Sequence, residues 1–324
     1  MRNLSAFRGE VGPGERVHGR LGRWGVRFRF WRGRRCRVTA VISNEYRAAS
    51  QAGGCFATHC LVFYKFKHKS LLEQSPLHEL LDFRVAAAAV GPHQHLTPPH
   101  LIRMLQEAAM RNTVRLNISS PELMEAYGLS WVLRRQNIDC QRWPRLGERI
   151  RVLTAPTGFA GKLQTFRDFH LLDEAGNRII SATTAWLIMD VANRRLKPIP
   201  ERVAALKKDL APASAHLPRP LEKVPPPSSV DATIDSRVAF YQLDFNDHLT
   251  NPVFPELMLE PLGHDYLLGH LPTRIMIAYH REARYGEKVR AGVQTDTATH
   301  HHQHVLLRGE EVLATMDTRW QPLE

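Results

Sequence analysis

The sequence reads as an α+β protein in which one strand–helix–strands unit occurs twice. Three observations predict this. Leu101, Met104, Leu105 and Ala108 repeat at helical spacing and are followed by long strand-like runs, an order that suits an antiparallel α+β layer rather than alternating βαβ units. A Pro-rich stretch at 201–230, with Pro225-Pro226-Pro227-Ser228-Ser229 at its end, then breaks the pattern. After the break, segments from the first part return at nearly constant offsets.

In chain order, Leu81 to Val90 reads as a strand, although four alanines weaken it. Gly91-Pro92-His93-Gln94-His95 is a turn, and Thr97 with Pro98 supplies an N-cap and an N1 proline for the apolar-faced helix. A second, shorter helix is expected over Pro121 to Tyr127, with Ser120 as cap and Gly128 as stop. Strands are expected at Trp131–Cys140, Glu148–Ala155, Leu163–Leu172 and Arg178–Asp190, because Gly147, Gly158, Gly161 and Asp173-Glu174-Ala175-Gly176 supply turn chemistry between them. Residues 201–230 should form an extended surface linker. The expected divisions are therefore an N-terminal extension at 1–78, a first domain at 79–200, the linker at 201–230 and a second domain at 231–324.

The formal charge of +12 lies entirely in residues 1–70, which hold 15 basic and 3 acidic side chains, while the other 254 residues hold 29 of each. The body thus gives no reason to expect a nucleic-acid partner. Three readings of the Arg-rich segment compete: an organellar transit peptide, a nucleic-acid-binding arm, or upstream sequence read through from a misplaced start. The lack of methionine between Met1 and Met104 favours the last. Cys36, Cys55 and Cys60 fall in that segment, leaving Cys140 as a lone core thiol, which fits a reducing compartment. No apolar run is long enough to span a bilayer, so a cytoplasmic location is expected, or an organellar one if 1–70 is a transit peptide.

Chemistry concentrates at Asp244-Phe245-Asn246-Asp247-His248. A carboxylate, an amide and an imidazole at i, i+2 and i+4 would point to one side of an extended segment. The repeat supplies an internal control. Gln94-His95-Leu96-Thr97 matches Asp247-His248-Leu249-Thr250 at an offset of 153, and Arg142–Arg151 matches Arg281–Arg290 at an offset of 139. Where the second copy has Asp244, Asn246 and Glu282, the first has Gly91, His93 and Trp143; only His95 and His248 agree. Folding needs alone do not account for that asymmetry. Simple turn and cap chemistry is the competing reading of Asp-x-Asn-x-His. His300-His301-His302 with His304 reads as a His-rich hairpin loop in preference to a metal site, since no carboxylate or thiolate stands at motif spacing.

With Tyr279-His280-Arg281-Glu282 following Asp244-x-Asn246-x-His248-x-x-Asn251, and with Leu105-Gln106-Glu107-Ala108, Trp131-Val132 and Trp186-Leu187-Ile188-Met189 in the first half, the chain from about Leu80 onward resembles the acyl-acyl carrier protein thioesterases. The resemblance implies two tandem hotdog domains, each a long helix wrapped by an antiparallel sheet. It also implies hydrolysis of a fatty acyl-phosphopantetheine thioester on acyl carrier protein, which ends chain elongation. It places Asp244, Asn246, His248 and Glu282 in the catalytic set, and Asn251, Phe254 and Trp131 at the substrate. The cysteine frequent after the glutamate is Ala283 here, which excludes a thiol nucleophile at that place. Thr250, Phe254 and Leu257 also depart from the family pattern.

His248 with Glu282 suits a general-base pair acting on water, and the helix beginning near Asn251-Pro252 suits developing negative charge. No cofactor, metal, nucleic acid or membrane is called for. The expected partner is the acidic carrier, with Arg134, Arg135 and Arg284 as docking candidates; the chain is expected as monomer or homodimer. An acyl-CoA thioesterase of the same fold and a non-catalytic acyl-binding protein are the alternatives.

Overall fold

The computed structural model describes residues 75–323. The readings of the Arg-rich segment 1–70 therefore lie outside the described residues. Residues 75–78, expected as the end of the extension, are packed against the body: Leu77 is buried, and the Arg115 guanidinium donates to the carbonyls of Pro76, Leu77 and His78.

Strand β1 (Glu79–Arg84) stops earlier than its sequence suggests. The alanines that follow form a 3₁₀ turn at Ala87–Ala89, since small side chains give a strand little to pack and the chain must double back for Val90 to pair with Leu96. Helix α1 (Pro98–Arg115) buries Leu101, Ile102, Leu105 and Ala108 on one face. Thr97 is its N-cap residue, but the hydroxyl bonds His100 Nδ1 at 2.8 Å instead of a backbone N–H. Helix α2 (Ser120–Tyr127) is capped one residue earlier than expected, by Ser119, whose N–H donates to the Glu122 carboxylate at 2.7 Å. It ends at Gly128, where φ is +65°.

Strands β2 (Leu129–Cys140), β3 (Arg149–Ala160), β4 (Gln164–Leu172) and β5 (Arg178–Asp190) follow, with the short β6 (Arg195–Lys197) pairing β5. After the linker, with its short helix α3 (Glu201–Ala204), come β7 (Ala232–Arg237), α4 (Val253–Leu259), α5 (His264–Gly269), β8 (His270–Tyr279), β9 (Lys288–Asp296), β10 (His301–Arg308) and β11 (Glu311–Pro322).

All pairings are antiparallel, in the order β1-β3-β4-β5-β2-β8-β11-β10-β9-β7. Read inward from each edge, the two halves have the same order: 1-3-4-5-2 on one side and 7-9-10-11-8 on the other. The duplication visible in the sequence is thus a duplication of topology. The halves join through β2 and β8, paired from Arg135↔Ala278 to Asp139↔Arg274, so the sheet is continuous. One buried cluster holds side chains of both copies, among them Leu105 and Ile138 of the first and Met258 and Ile275 of the second. Arg103 on α1 and Glu256 on α4, 153 residues apart, meet at 2.8 Å. Both are substantially exposed, so the pair marks the approach of the two helices and adds little stability.

Three further features depart from expectation. The second copy's helix is interrupted: α4 has seven residues, and Pro261 and Gly263 (φ +82°) separate it from α5. The linker, expected to run extended over the surface, is docked. Val203, Ala211 and Val224 are buried, Leu217 N–H donates to Asp168 Oδ2 at 2.8 Å, and Arg219 reaches Thr157 Oγ1 at 2.9 Å. Proline prevents a ladder there but not side-chain packing, and Asp168 and Arg219 give the segment fixed partners. The histidines expected in a hairpin loop lie largely in strand β10, where His302 and His304 are fully buried.

Candidate active site

The loop between β7 and α4 carries Asp244, Asn246 and His248. Its counterpart between β1 and α1 has the same backbone path. Asp247 and Gln94, at equivalent positions, both take the left-handed conformation (φ +63° and +61°). In each loop the chain closes on itself, Asp244 N–H donating to His248 O at 2.8 Å and Gly91 N–H to His95 O at 3.1 Å. The polar heads are therefore gathered by a tight turn, not by strand alternation. A left-handed residue at Asp247 breaks the two-residue period, and Asp is among the residues that tolerate it.

Within the loop, Asp244 Oδ1 accepts the backbone N–H groups of Asn246 (2.8 Å) and His248 (3.3 Å), while Oδ2 lies 3.4 Å from Asn246 Nδ2. Asp244 thus fixes the turn and orients the amide of Asn246, so the turn-chemistry reading and the site reading both describe it. His248 Nε2 is 3.1 Å from Glu282 Oε2. A neutral imidazole holding that contact donates Nε2–H to the carboxylate and keeps the Nδ1 lone pair. Nδ1 has no protein partner among the described residues.

Glu282 is also gripped by Arg194, which crosses from the β5–β6 turn of the first copy. Arg194 belongs to this cluster, a role the sequence does not reveal, since nothing local to it signals a partner 88 residues away. The His248 pKa is lowered, chiefly by burial and then by the Arg194 charge, against smaller opposing effects of Asp244 and Asp247. A carboxylate 3.1 Å away would ordinarily raise it. Here Arg194 neutralises that same carboxylate.

The first copy shows what happens without the polar set. Trp143, at the position of Glu282, is buried and donates Nε1–H to Pro272 O at 2.7 Å. His95 is held from both sides, Nδ1 by His93 O at 2.7 Å and Nε2 by Arg145 Nε at 3.1 Å, so no lone pair remains for a reactant.

Asp244, Asn246 and Asn251 line the wall of a cavity whose body is built from the first copy, with Trp131, Phe166 and Trp186 among its lining. His248 and Glu282 sit beside this cavity, outside its lining. Phe254, expected at the substrate, is packed in the core with its ring edge-on to Tyr279 at 5.3 Å and does not line it. Helix α4 is a poorer anion site than its sequence suggests: it has seven residues, and Val253 N–H is taken by Thr250 O. Next to Asp244 on the cavity wall, the side-chain amides of Asn246 and Asn251 supply the donors. Ala283 is fully buried, and the Cys140 thiol is pushed well up in pKa by burial. Among the described residues no cluster of His, Cys, Asp and Glu could hold a metal ion.

Family models for the acyl-ACP thioesterase N-terminal and C-terminal domains match residues 81–206 and 228–322. The chain belongs to the acyl-ACP thioesterase family. Its curated relatives include a dodecanoyl-[acyl-carrier-protein] hydrolase, chloroplastic, of Cinnamomum camphora, 25% identical over 259 residues (74% of this chain, 66% of the relative). An oleoyl-acyl carrier protein thioesterase, chloroplastic, of Coriandrum sativum is 24% identical over 64% of this chain and 60% of its own. A palmitoyl-acyl carrier protein thioesterase, chloroplastic, of Gossypium hirsutum is 25% identical over 62% of this chain and 51% of its own. The chain thus spans between half and two thirds of the length of these relatives.

Two solved structures share the fold: the 12:0-ACP thioesterase from Umbellularia californica, with a TM-score of 0.70 and 20% identity over 76% of this chain and 98% of that one, and a putative oleoyl thioesterase from Lactobacillus plantarum, with a TM-score of 0.66 and 21% identity over 78% and 99%. The architecture of this family member is the tandem hotdog. Arg134 and Arg135, candidates for carrier docking, are engaged internally in the acyl-ACP thioesterase fold: Arg134 donates to Tyr279 O across the two copies, and Arg135 donates to Leu221 O. Among the described residues no helix is long and apolar enough to cross a membrane.

Proposed function

We propose that this protein hydrolyses the thioester of a fatty acyl-acyl carrier protein, releasing the free fatty acid. The observation that carries the reading is the placement of the Asp244–Asn246 pair on the wall of an apolar-lined cavity, with the His248–Glu282 pair at 3.1 Å beside it. Family membership and the relatives' names agree with it. Those names cover dodecanoyl, oleoyl and palmitoyl chains, so they select the reaction and not the chain length.

In this mechanism the acyl chain lies in the cavity with its carbonyl at Asn246. Water attacks the carbonyl carbon and gives its proton to His248 Nδ1, while Glu282 holds Nε2–H and fixes the tautomer. The amide N–H groups of Asn246 and Asn251 receive the developing oxyanion. Collapse of the intermediate breaks the C–S bond, and the departing thiolate takes the proton from the imidazolium. Positioning of the water matters more than acid assistance, because a thiolate leaves readily.

Hydrolysis rates on matched acyl-acyl carrier protein and acyl-CoA substrates test this reading. Turnover on the carrier-bound chain, faster than on the CoA ester, is expected; the reverse order selects the CoA thioesterase alternative, and no turnover on either leaves only acyl binding. A pH profile tests the base. The neutral imidazole is the active form and its pKa is lowered, so kcat/KM should hold as pH falls to the ordinary histidine value and decline only below it. Arg194→Met removes one lowering cause, so the acid limb should move to higher pH with the alkaline plateau kept. An unmoved limb counts against His248 as the base.

A further inference from the structure

The cavity wall is not purely hydrocarbon. Arg167, on β4, lines it and is 5% exposed. Burial lowers its pKa to about 10, which leaves it charged near neutral pH. Nη1 donates to Asn112 Oδ1 at 2.7 Å and to Thr154 Oγ1 at 3.2 Å. The Nε and Nη2 hydrogens meet no protein acceptor among the described residues. The nearest compensation is indirect. Asn112 Nδ2 is 3.1 Å from Glu79 Oε2, but that carboxylate is already paired with Arg115 at 3.1 Å, so one anion serves two guanidiniums. Asp168 points to the other face of the strand, toward Leu217 N–H and Arg219. Gln106 lines the same cavity, and its Oε1 is buried with no partner. A wall for plain alkyl chain has no use for such groups, since unpaired buried polar atoms are costly.

The second copy contains a filled version of this space. Thr184 bonds Arg167 O and accepts Trp186 Nε1–H at 2.8 Å; Thr318 bonds His302 O and accepts Trp320 Nε1–H at 2.8 Å. The strand registers pair Thr184 with Arg167 and Thr318 with His302, so His302 is the structural counterpart of Arg167. His302 Nε2 lies 2.7 Å from the hydroxyl of Tyr266, whose ring stacks on His270 at 4.1 Å and meets Trp320 edge-on. Tyr266 reaches this place because the helix is broken ahead of it at Pro261–Gly263. In the first copy α1 runs unbroken and supplies no such side chain. The second copy therefore occupies the space with an apolar body bearing a hydroxyl, seated against the polar group of the central strand. The first copy presents the same kind of polar group to an open cavity.

We propose that the cavity takes an acyl chain bearing an acceptor oxygen, a hydroxyl or keto group, which lodges against the Arg167 guanidinium. This rests on the thioesterase reading above. Arginine can only donate, so the partner must accept; a hydroxyl can in addition donate to Gln106 Oε1. The test uses the full chain with acyl carrier proteins loaded with plain, hydroxy- and oxo-acyl chains of equal length, the oxygen placed near C3 in one set and near the methyl end in another. Oxygenated chains of at least one set should exceed plain ones by about 10–100-fold in kcat/KM, and Arg167→Met should bring that ratio close to one. Arg167→Gln retains a donor for Asn112 and serves if the methionine variant does not fold; it should reduce the ratio as well. A wild-type ratio at or below one in both sets overturns the proposal while leaving acyl-carrier-protein hydrolysis intact, and so does a ratio unchanged in a folded variant. Absence of hydrolysis on every chain removes the thioesterase reading together with this one.

Discussion

Alanine at His248 should lower kcat/KM on an acyl-acyl carrier protein by about 10²–10⁴-fold, the range for losing a proton-transfer group, and alanine at Asp244 should lower it through the loop and Asn246 that it holds. The two substitutions should differ in kind. His248→Ala removes the base and leaves Asp244 with its Asn246 contacts, so the fold and substrate binding should persist. Asp244→Ala removes the acceptor of two loop N–H groups, so it should also loosen the turn that carries His248. Asp244→Asn separates the effects, since its remaining amide oxygen can still accept one or both N–H groups while its charge is gone. Wild-type turnover in both alanine variants would falsify the assignment, and the pH profile of Asp244→Asn tells which group sets the acid limb.

Asn246→Ala should cost about 10²–10³-fold in kcat with KM little changed, the pattern for losing one donor to a developing oxyanion. The amide is half-committed: one hydrogen faces Asp244 Oδ2 at 3.4 Å and the other is available to the carbonyl. Asn246→Asp is the sharper variant. It keeps shape, replaces a donor with a charge, and places a second carboxylate beside Asp244, so it should lose at least as much. A rise in KM with kcat unchanged would show instead that Asn246 serves ground-state binding.

The duplicated topology was legible because it rests on spacing: the 153-residue offset aligns Gln94-His95 with Asp247-His248, and the structure gives both loops the same left-handed residue. The meeting of Asp244, Asn246 and His248 is legible for a related reason, since five consecutive residues cannot be far apart, but its cause is a tight turn and not the strand alternation that the spacing suggests. Trp131, expected at the substrate, does line the cavity, but Arg194 and Arg167 are not legible. They come from the other copy, and a residue whose partner is 88 positions distant leaves no local trace. Phe254 misled because an aromatic residue near a site motif suits a core equally well, and here it packs on Tyr279. The linker misled because prolines report backbone conformation and are silent about whether a neighbour such as Asp168 will hold the segment down.

The β2–β8 junction has a consequence for stoichiometry. Two half-sheets that would otherwise have to find each other in solution are here joined in one chain, and their shared edge is closed by backbone pairing. Assembly of the halves is therefore unimolecular, and specific activity should be independent of protein concentration down to strong dilution. With Trp143 sealing the first copy's equivalent of the site, a tight-binding, slowly hydrolysed substrate analogue should titrate to one equivalent per polypeptide and not two.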